Sequence, residues 1–300
     1  MKPLSLSLFS LFLLLPGTVF GASCCVSNTS VSNLMIMPSK WQETVTLSQS
    51  RVIGDVDDKG QSTFRRSSNR DVTNLVRLDL AYGWTFRYQT GVSVKYQGRT
   101  RQFNGDDSSS SGWSDVGLSQ AYKLSPLGRL WAFSTVNIPT ARSIYNANDN
   151  FSVDARGSGT YQAGAGIFGI HNTKVWDFIY SGEVHHSFGR TFRKGESETR
   201  VGSFWGTSIT GGVGYIPFRS KFRYGANLTP HYEGAKTVTS NGTKTNGKGS
   251  VLWDTSLNLS YTLNAYHAFG LSYIDQTLLG PARNTLLSRT VSFQWQTKWE

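Results

Sequence analysis

Between Val76 and Tyr88 the chain places an apolar or aromatic residue at every second position. Val76, Leu78, Leu80, Tyr82, Trp84, Phe86 and Tyr88 share one face of an extended backbone, and Arg77, Asp79, Gly83, Thr85 and Arg87 share the other. A period of two is that of a strand with one apolar face. The pattern returns in three more segments. Trp176, Phe178, Tyr180, Val184 and Phe188 oppose Asp177, Ser181, Glu183 and His185. Val251, Trp253, Leu257, Leu259 and Tyr261 alternate with Asp254, Ser256, Asn258 and Ser260, and Val291, Phe293, Trp295 and Trp299 with Ser292, Gln294, Gln296 and Lys298. The apolar sets end in aromatics, which is what a girdle at a membrane–water interface requires.

Extending this reading along the chain predicts strands over residues 41–53, 73–86, 91–101, 114–123, 129–139, 159–170, 175–189, 199–216, 222–234, 250–262, 266–276 and 286–298. The segments 129–139 and 159–170 alternate poorly. The connections sort by parity: those at 54–72, 102–113, 140–158, 190–198, 235–249 and 277–285 are long, and those at 87–90, 124–128, 171–174, 217–221 and 263–265 are short. A Greek-key sandwich would not sort its connections this way. The fold class expected is all-β, a closed antiparallel transmembrane β-barrel of about 12 strands with short periplasmic turns and long extracellular loops. Inside a bilayer every backbone polar group must be paired, so a sheet without an edge is the only β solution. The long connections carry polar low-complexity runs, Asp106-Asp107 followed by Ser108 to Ser111 and Thr239 to Lys248, expected to be solvated and mobile.

The start of the chain adds a destination. Met1-Lys2-Pro3 leads into an apolar run from Leu4 to Leu15 and then to Pro16, Gly17 and the small residues Gly21-Ala22-Ser23, the pattern of a secretory signal peptide over residues 1–23. The run of about 12 residues is too short to span a bilayer as a helix, which needs ~20. Residues 24–40 then form an N-terminal periplasmic segment or a partial plug, and 41–300 the barrel, in the outer membrane of a Gram-negative bacterium. Cys24-Cys25 would lie near the mature N-terminus, where acylation of Cys24 is one alternative; two adjacent thiols offer too few ligands for zinc. The net charge of +11 would suit nucleic acid, but an exported chain meets lipopolysaccharide instead.

Charged residues are costly against lipid and point inward. Lumen-facing positions by parity include Arg77, Asp79, Lys95, Arg99, Arg101, Asp115, Lys123, Asp177, Glu183, His185, Arg223, His231, Glu233 and Asp254. If they pair with each other they stiffen a filled barrel; if they line water they select what passes. Loop cations, among them Arg65, Arg66, Arg70, Arg193 and Lys194, are candidates for contact with lipopolysaccharide phosphates. His185 and Ser187 are spaced as in outer-membrane phospholipases, but they share parity with Asp177 and Glu183 and so face the lumen, and Phe188 stands where that pattern has Asn. The loop acids Asp55, Asp57 and Asp58 lack the later Glu of a calcium loop. No nucleotide loop, dinucleotide fingerprint or zinc spacing occurs, so no cofactor, metal or catalytic residue is expected.

Gly112-Trp113-Ser114-Asp115-Val116-Gly117-Leu118 with Tyr122-Lys123-Leu124, and then Ile138-Pro139-Thr140, resembles a family of bacterial outer-membrane transporters of the phenol meta-degradation type. Ser114 occupies the place where that family usually has Gly. The resemblance covers about a third of the chain and implies passage of small, often apolar or aromatic molecules. The function expected is thus a passive porin-like channel or transporter. Its alternatives are a structural or adhesive barrel with a filled lumen and a lipid hydrolase using His185 and Ser187. Expected partners are outer-membrane lipid and lipopolysaccharide, a small-molecule solute and the barrel-assembly machinery, whose C-terminal signal the last strand resembles except that Glu300 follows Trp299.

Overall fold

The computed structural model describes residues 40–66, 68–125 and 129–299. The expected signal peptide, Cys24, Cys25 and Glu300 lie outside them, as does all but Lys40 of the 24–40 segment. The chain forms a closed antiparallel barrel of 12 strands. They are β1 (Trp41–Val56), β2 (Arg70–Gly83), β3 (Tyr88–Phe103), β4 (Val116–Lys123), β5 (Leu130–Ile138), β6 (Gln162–Asn172), β7 (Trp176–Ser187), β8 (Phe204–Tyr215), β9 (Phe222–Glu233), β10 (Ser250–Thr262), β11 (His267–Asp275) and β12 (Thr285–Trp299). Each pairs with its neighbours in sequence, and β12 returns to β1, with Trp41 opposite Trp299 and Val56 opposite Thr285.

One face of each strand is apolar and exposed, and on most strands the other is polar and buried, the inverse of a soluble sheet. On β1 Leu47 is 47% exposed and Gln42 is 0% exposed; on β7 Phe178 is 46% exposed and Asp177 is 2% exposed. Aromatic pairs ring the outer wall at the end with the short turns, as in Trp41–Tyr82 (centroids 4.8 Å), Trp176–Tyr215 (4.9 Å) and Phe222–Tyr261 (4.8 Å). A second set, Tyr96–Trp113 (5.5 Å) and His186–Trp205 (4.5 Å), lies toward the other end. Two aromatic levels bounding an apolar band mark the two interfaces of a bilayer. Short polar side chains close the tight turns: Thr85 Oγ1 accepts from the N–H groups of Arg87 (3.1 Å) and Tyr88 (3.0 Å), and Asn264 Oδ1 from those of Tyr266 and His267 (both 2.8 Å).

Three expectations are corrected. The predicted strand 73–86 begins at Arg70 and ends at Gly83, because Trp84 and Phe86 continue the alternation into the turn as girdle residues. The predicted strand 199–216 is two elements: Ser197–Val201 belongs to a small sheet above the barrel, and β8 starts at Phe204. Gly202 makes the hand-over, its N–H donating to Thr237 O at 2.7 Å. The runs expected to be mobile are hairpin strands. Asp106–Trp113 pairs with the upper half of β3 through an Asn104-Gly105 turn with φ of 53° and 96°, and Thr237–Ser240 pairs with Thr243–Asn246 through Asn241-Gly242 with φ of 45° and 83°. Asn-Gly supplies both left-handed residues of a type I′ turn, whose twist matches the strands it joins. The small sheet runs Arg190–Lys194, Ser197–Val201, Thr237–Ser240, Thr243–Asn246.

Candidate functional site

The interior is not uniformly polar. Near the short turns, four adjacent strands turn apolar side chains inward: Ala121 on β4, Trp131 and Phe133 on β5, Phe168 and Ile170 on β6, and Ile179 on β7 form one cluster. The rings of Trp131 and Phe168 are 5.8 Å apart. Gly166 leaves the space for Phe133, since a Cβ there would come within 2.5 Å of that ring. Lys123 stands on the same interior face, at the turn end of β4. Facing this strip across the barrel are Gln42, Thr44, Thr46, Ser292 and Gln296, all buried.

The rest of the interior carries charge, from Asp177 and Arg223 beside the short turns up to the rim. Of the residues singled out in the sequence, Arg77, Asp79, Lys95, Arg99, Arg101, Asp177, Glu183, His185, Arg223, His231 and Asp254 stand on the inward parity of their strands, and most engage one another. Arg77 Nη2 lies 2.8 Å from Asp79 Oδ1, His231 Nε2 lies 3.1 Å from Asp254 Oδ2, and Thr135 Oγ1 donates to Glu183 Oε1 at 3.2 Å. Asp177 on β7 and Arg223 on β9 meet across β8 as a bidentate, buried pair, with Nε 2.5 Å from Oδ2 and Nη2 on Oδ1. Gly214 on the intervening strand makes the meeting possible, because a Cβ there would lie 2.5 Å from Asp177 Oδ1 and collide with the guanidinium. Glu233 is exposed at the loop end of β9, away from this group.

Asp115 does something different. It precedes β4, and its carboxylate accepts from Ala141 N–H (3.1 Å), Ser158 N–H (2.6 Å) and Ser158 Oγ (2.9 Å), clamping both ends of the 139–161 connection. That connection covers part of the mouth. It packs on Ser108, Ser110 and Ser114, and the first two are paired with the inward residues Arg101 and Arg99. Ser108 Oγ donates to Asp149 (2.6 Å), Arg156 Nη1 to Ser110 Oγ (2.7 Å), and Arg101 Nη1 to Phe151 O. From the other side Arg190 Nη1 donates to Gly159 O (2.9 Å), Lys194 to Ala147 O, and Phe192 packs 5.2 Å from Tyr145. The connection is folded within itself as well. Burial pushes the Asp154 carboxyl up, but donors from Asn148 N–H, Arg142 and Asp149 N–H outweigh it and hold the group below its ordinary range. The Ser108 hydroxyl and the N–H groups of Phe151 and Val153 do the same for Asp149.

At the rim, Asp71 gathers Arg99 (Nε and Nη2 both 2.9 Å), Arg101 (2.9 Å) and Arg65 (3.4 Å). Arg65 also holds Asp55, and that bond raises the guanidinium further above its ordinary value. Of the five loop cations expected to meet lipopolysaccharide, Arg65 and Lys194 are thus engaged in the mouth and Arg193 pairs with Glu198 (3.1 Å), while Arg66 and Arg70 are exposed. His185 and Ser187 both face inward, and Ser187 is fully buried, accepting from Gln162 Nε2 at 2.9 Å. The apolar strip escaped the sequence reading, and its only signal was the weak alternation of 129–139 and 159–170.

No protein-family model and no curated protein matches the chain. Among solved structures it is similar to an outer membrane channel from Pseudomonas putida F1, with a TM-score of 0.69 at 14% identity, covering 88% of this chain and 97% of that one. Further matches are the transport unit of the autotransporter AIDA-I from Escherichia coli (TM-score 0.48, 9% identity, 88% and 91% covered) and the CymD monoaromatic hydrocarbon channel (0.43, 10%, 88% and 90%). The first of these establishes the fold as that of an outer-membrane β-barrel.

Proposed function

We propose that the barrel is a passive conduit for small molecules with an apolar or aromatic part. The observation that carries this is the strip Ala121, Trp131, Phe133, Phe168, Ile170 and Ile179 on one side of an otherwise polar interior. The strip side chains are packed to 2–4% exposure except for the half-buried Ile170; apolar contact is worth ~25 cal/mol per Å² removed from water, so the strip favours a ring or alkyl group wherever its rings part to admit one. The polar residues opposite receive a hydroxyl or carboxylate. Nothing in the sequence supplies a nucleotide site, so movement follows the concentration gradient. The resemblance to the phenol meta-degradation transporters supports the same substrate class. Proteoliposomes containing the barrel should take up small phenols faster than sugars of equal size, and planar bilayers should conduct. A folded barrel that does neither sinks the proposal.

A second reading has its own observation. The interior charges largely pair with one another, as in Arg77–Asp79, Asp177–Arg223 and His231–Asp254, which is how a structural barrel with a filled lumen would be stiffened. The same two experiments separate the readings, since a filled barrel stays silent in both.

A further inference from the structure

On the outer wall, at the side of the long connections, stands an arrangement that solute passage does not use. Arg51 of β1 and Arg289 of β12 face each other directly across the seam that closes the barrel, on the same outward face as Leu47 and Phe293. Asp275 of β11 accepts from Arg289 Nε at 2.8 Å. That carboxylate is buried and also takes the Tyr273 hydroxyl (2.8 Å), the Thr277 N–H (2.8 Å) and the Thr277 hydroxyl (2.5 Å). The Arg289 side chain remains 52% exposed, and Arg51 is exposed with no ion-pair partner among the described residues. Like charges directly opposite each other on one face of an antiparallel pair repel, and an anion between them removes the repulsion.

The height of the pair identifies the source of that anion. About ten residues separate Trp41 in the lower girdle from Arg51; at ~3.4 Å each and a tilt of ~40° they rise ~26 Å, against an apolar band ~25 Å tall. Trp299 and Arg289 are separated in the same way. The two guanidinium groups therefore stand where the phosphates of the outer leaflet lie. Beside them the 276–284 connection folds back along β10, with Arg283 bridged to Val251. Gly280, at φ +81°, is pressed against the Trp253 ring too closely for any Cβ, while Leu278 and Leu279 are exposed.

We propose that Arg51 and Arg289 clamp a phosphate of an outer-leaflet glycolipid of the lipid A type. The planar donors of arginine suit phosphate oxygens in a bidentate manner that lysine does not reproduce. The full barrel, refolded in neutral detergent, is offered diphosphorylated lipid A, the same lipid without phosphates, phosphatidylglycerol and inorganic phosphate, and retention is read by native mass spectrometry. Diphosphorylated lipid A should be held roughly tenfold better than its dephosphorylated form, about the worth of one charge-assisted bidentate contact. The Arg51→Gln, Arg289→Gln double variant should lose that preference while keeping heat-modifiable migration. Equal retention of the dephosphorylated lipid or of phosphatidylglycerol, displacement by inorganic phosphate, or a folded double variant with the preference intact overturns the proposal. Should the double variant fail to fold, the four ligands on the unaltered protein decide alone.

Discussion

Asp177→Asn tests whether the interior charges hold the wall together. Asp177 and Arg223 are the most enclosed ion pair among the described residues, with side chains 3% and 8% exposed, and they join β7 to β9 across the inner face of β8 at Gly214. Removing one partner of a buried pair leaves the other charge uncompensated, which costs ~3–5 kcal/mol; because polar groups of the lumen surround Arg223, the lower end, ~3 kcal/mol, is expected. That corresponds to a loss of roughly 150-fold in the ratio of folded to unfolded protein. Replacing both residues together, Asp177→Leu with Arg223→Met, should restore most of the loss. Gly214→Ala should reproduce the single variant without touching either charge, since its Cβ occupies the space of the pair, whereas Gly211→Ala meets nothing within 4 Å and should be close to neutral. Urea unfolding in lipid vesicles, followed by tryptophan fluorescence and by gel migration, gives all four values. Equal stability of the Gly214 and Gly211 variants, or an Asp177→Asn barrel within ~1 kcal/mol of the parent, would refute the reasoning.

Leu47→Arg places a charge on the lipid face between Val76 and Phe293 and should destabilise the barrel by ~2–4 kcal/mol in the same assay; a loss below ~1 would mean that this face does not meet hydrocarbon. Trp131→Ala with Phe168→Ala should slow uptake of small phenols several-fold while leaving sugar uptake unchanged, and an equal fall in both would remove the apolar strip from the conduit. The carboxyls of Asp149 and Asp154 are held below their ordinary range in the folded connection, so their contribution is complete above the unfolded value and is lost as pH falls through the lower folded one. Hydrogen exchange in 139–161 should therefore show constant protection from pH 8 to 5 and loosening only below about pH 4; a transition near neutrality contradicts this.

The strands legible in the sequence are those with lipid on one side and a polar interior on the other, as in β2, β7, β10 and β12. On β5 and β6 the alternation fails for a physical reason. Trp131, Phe133 and Phe168 face inward, opposite Leu130, Ala132 and Ile167 on the outer face, so both faces are apolar and a period of two has nothing to contrast. The Asp177–Arg223 pair was readable only as two inward charges, because the glycine between them is what brings them together. Composition hides the raised hairpins, because serine and threonine runs look solvated, while the Asn104-Gly105 and Asn241-Gly242 turns mark them. Asp115 was placed by parity but not by role, since its partners Ala141 and Ser158 lie far along the chain.

The small sheet above the barrel has a mechanical consequence. It is anchored to β7 and β8 at its base, and through Phe192, Arg190 and Lys194 it grips the connection that covers the mouth. Its outermost hairpin, Thr237–Asn246, stands farthest from that grip. The sheet is thus a handle: a tilt of its outer hairpin works a lever whose short arm rests on Tyr145 and Ala147.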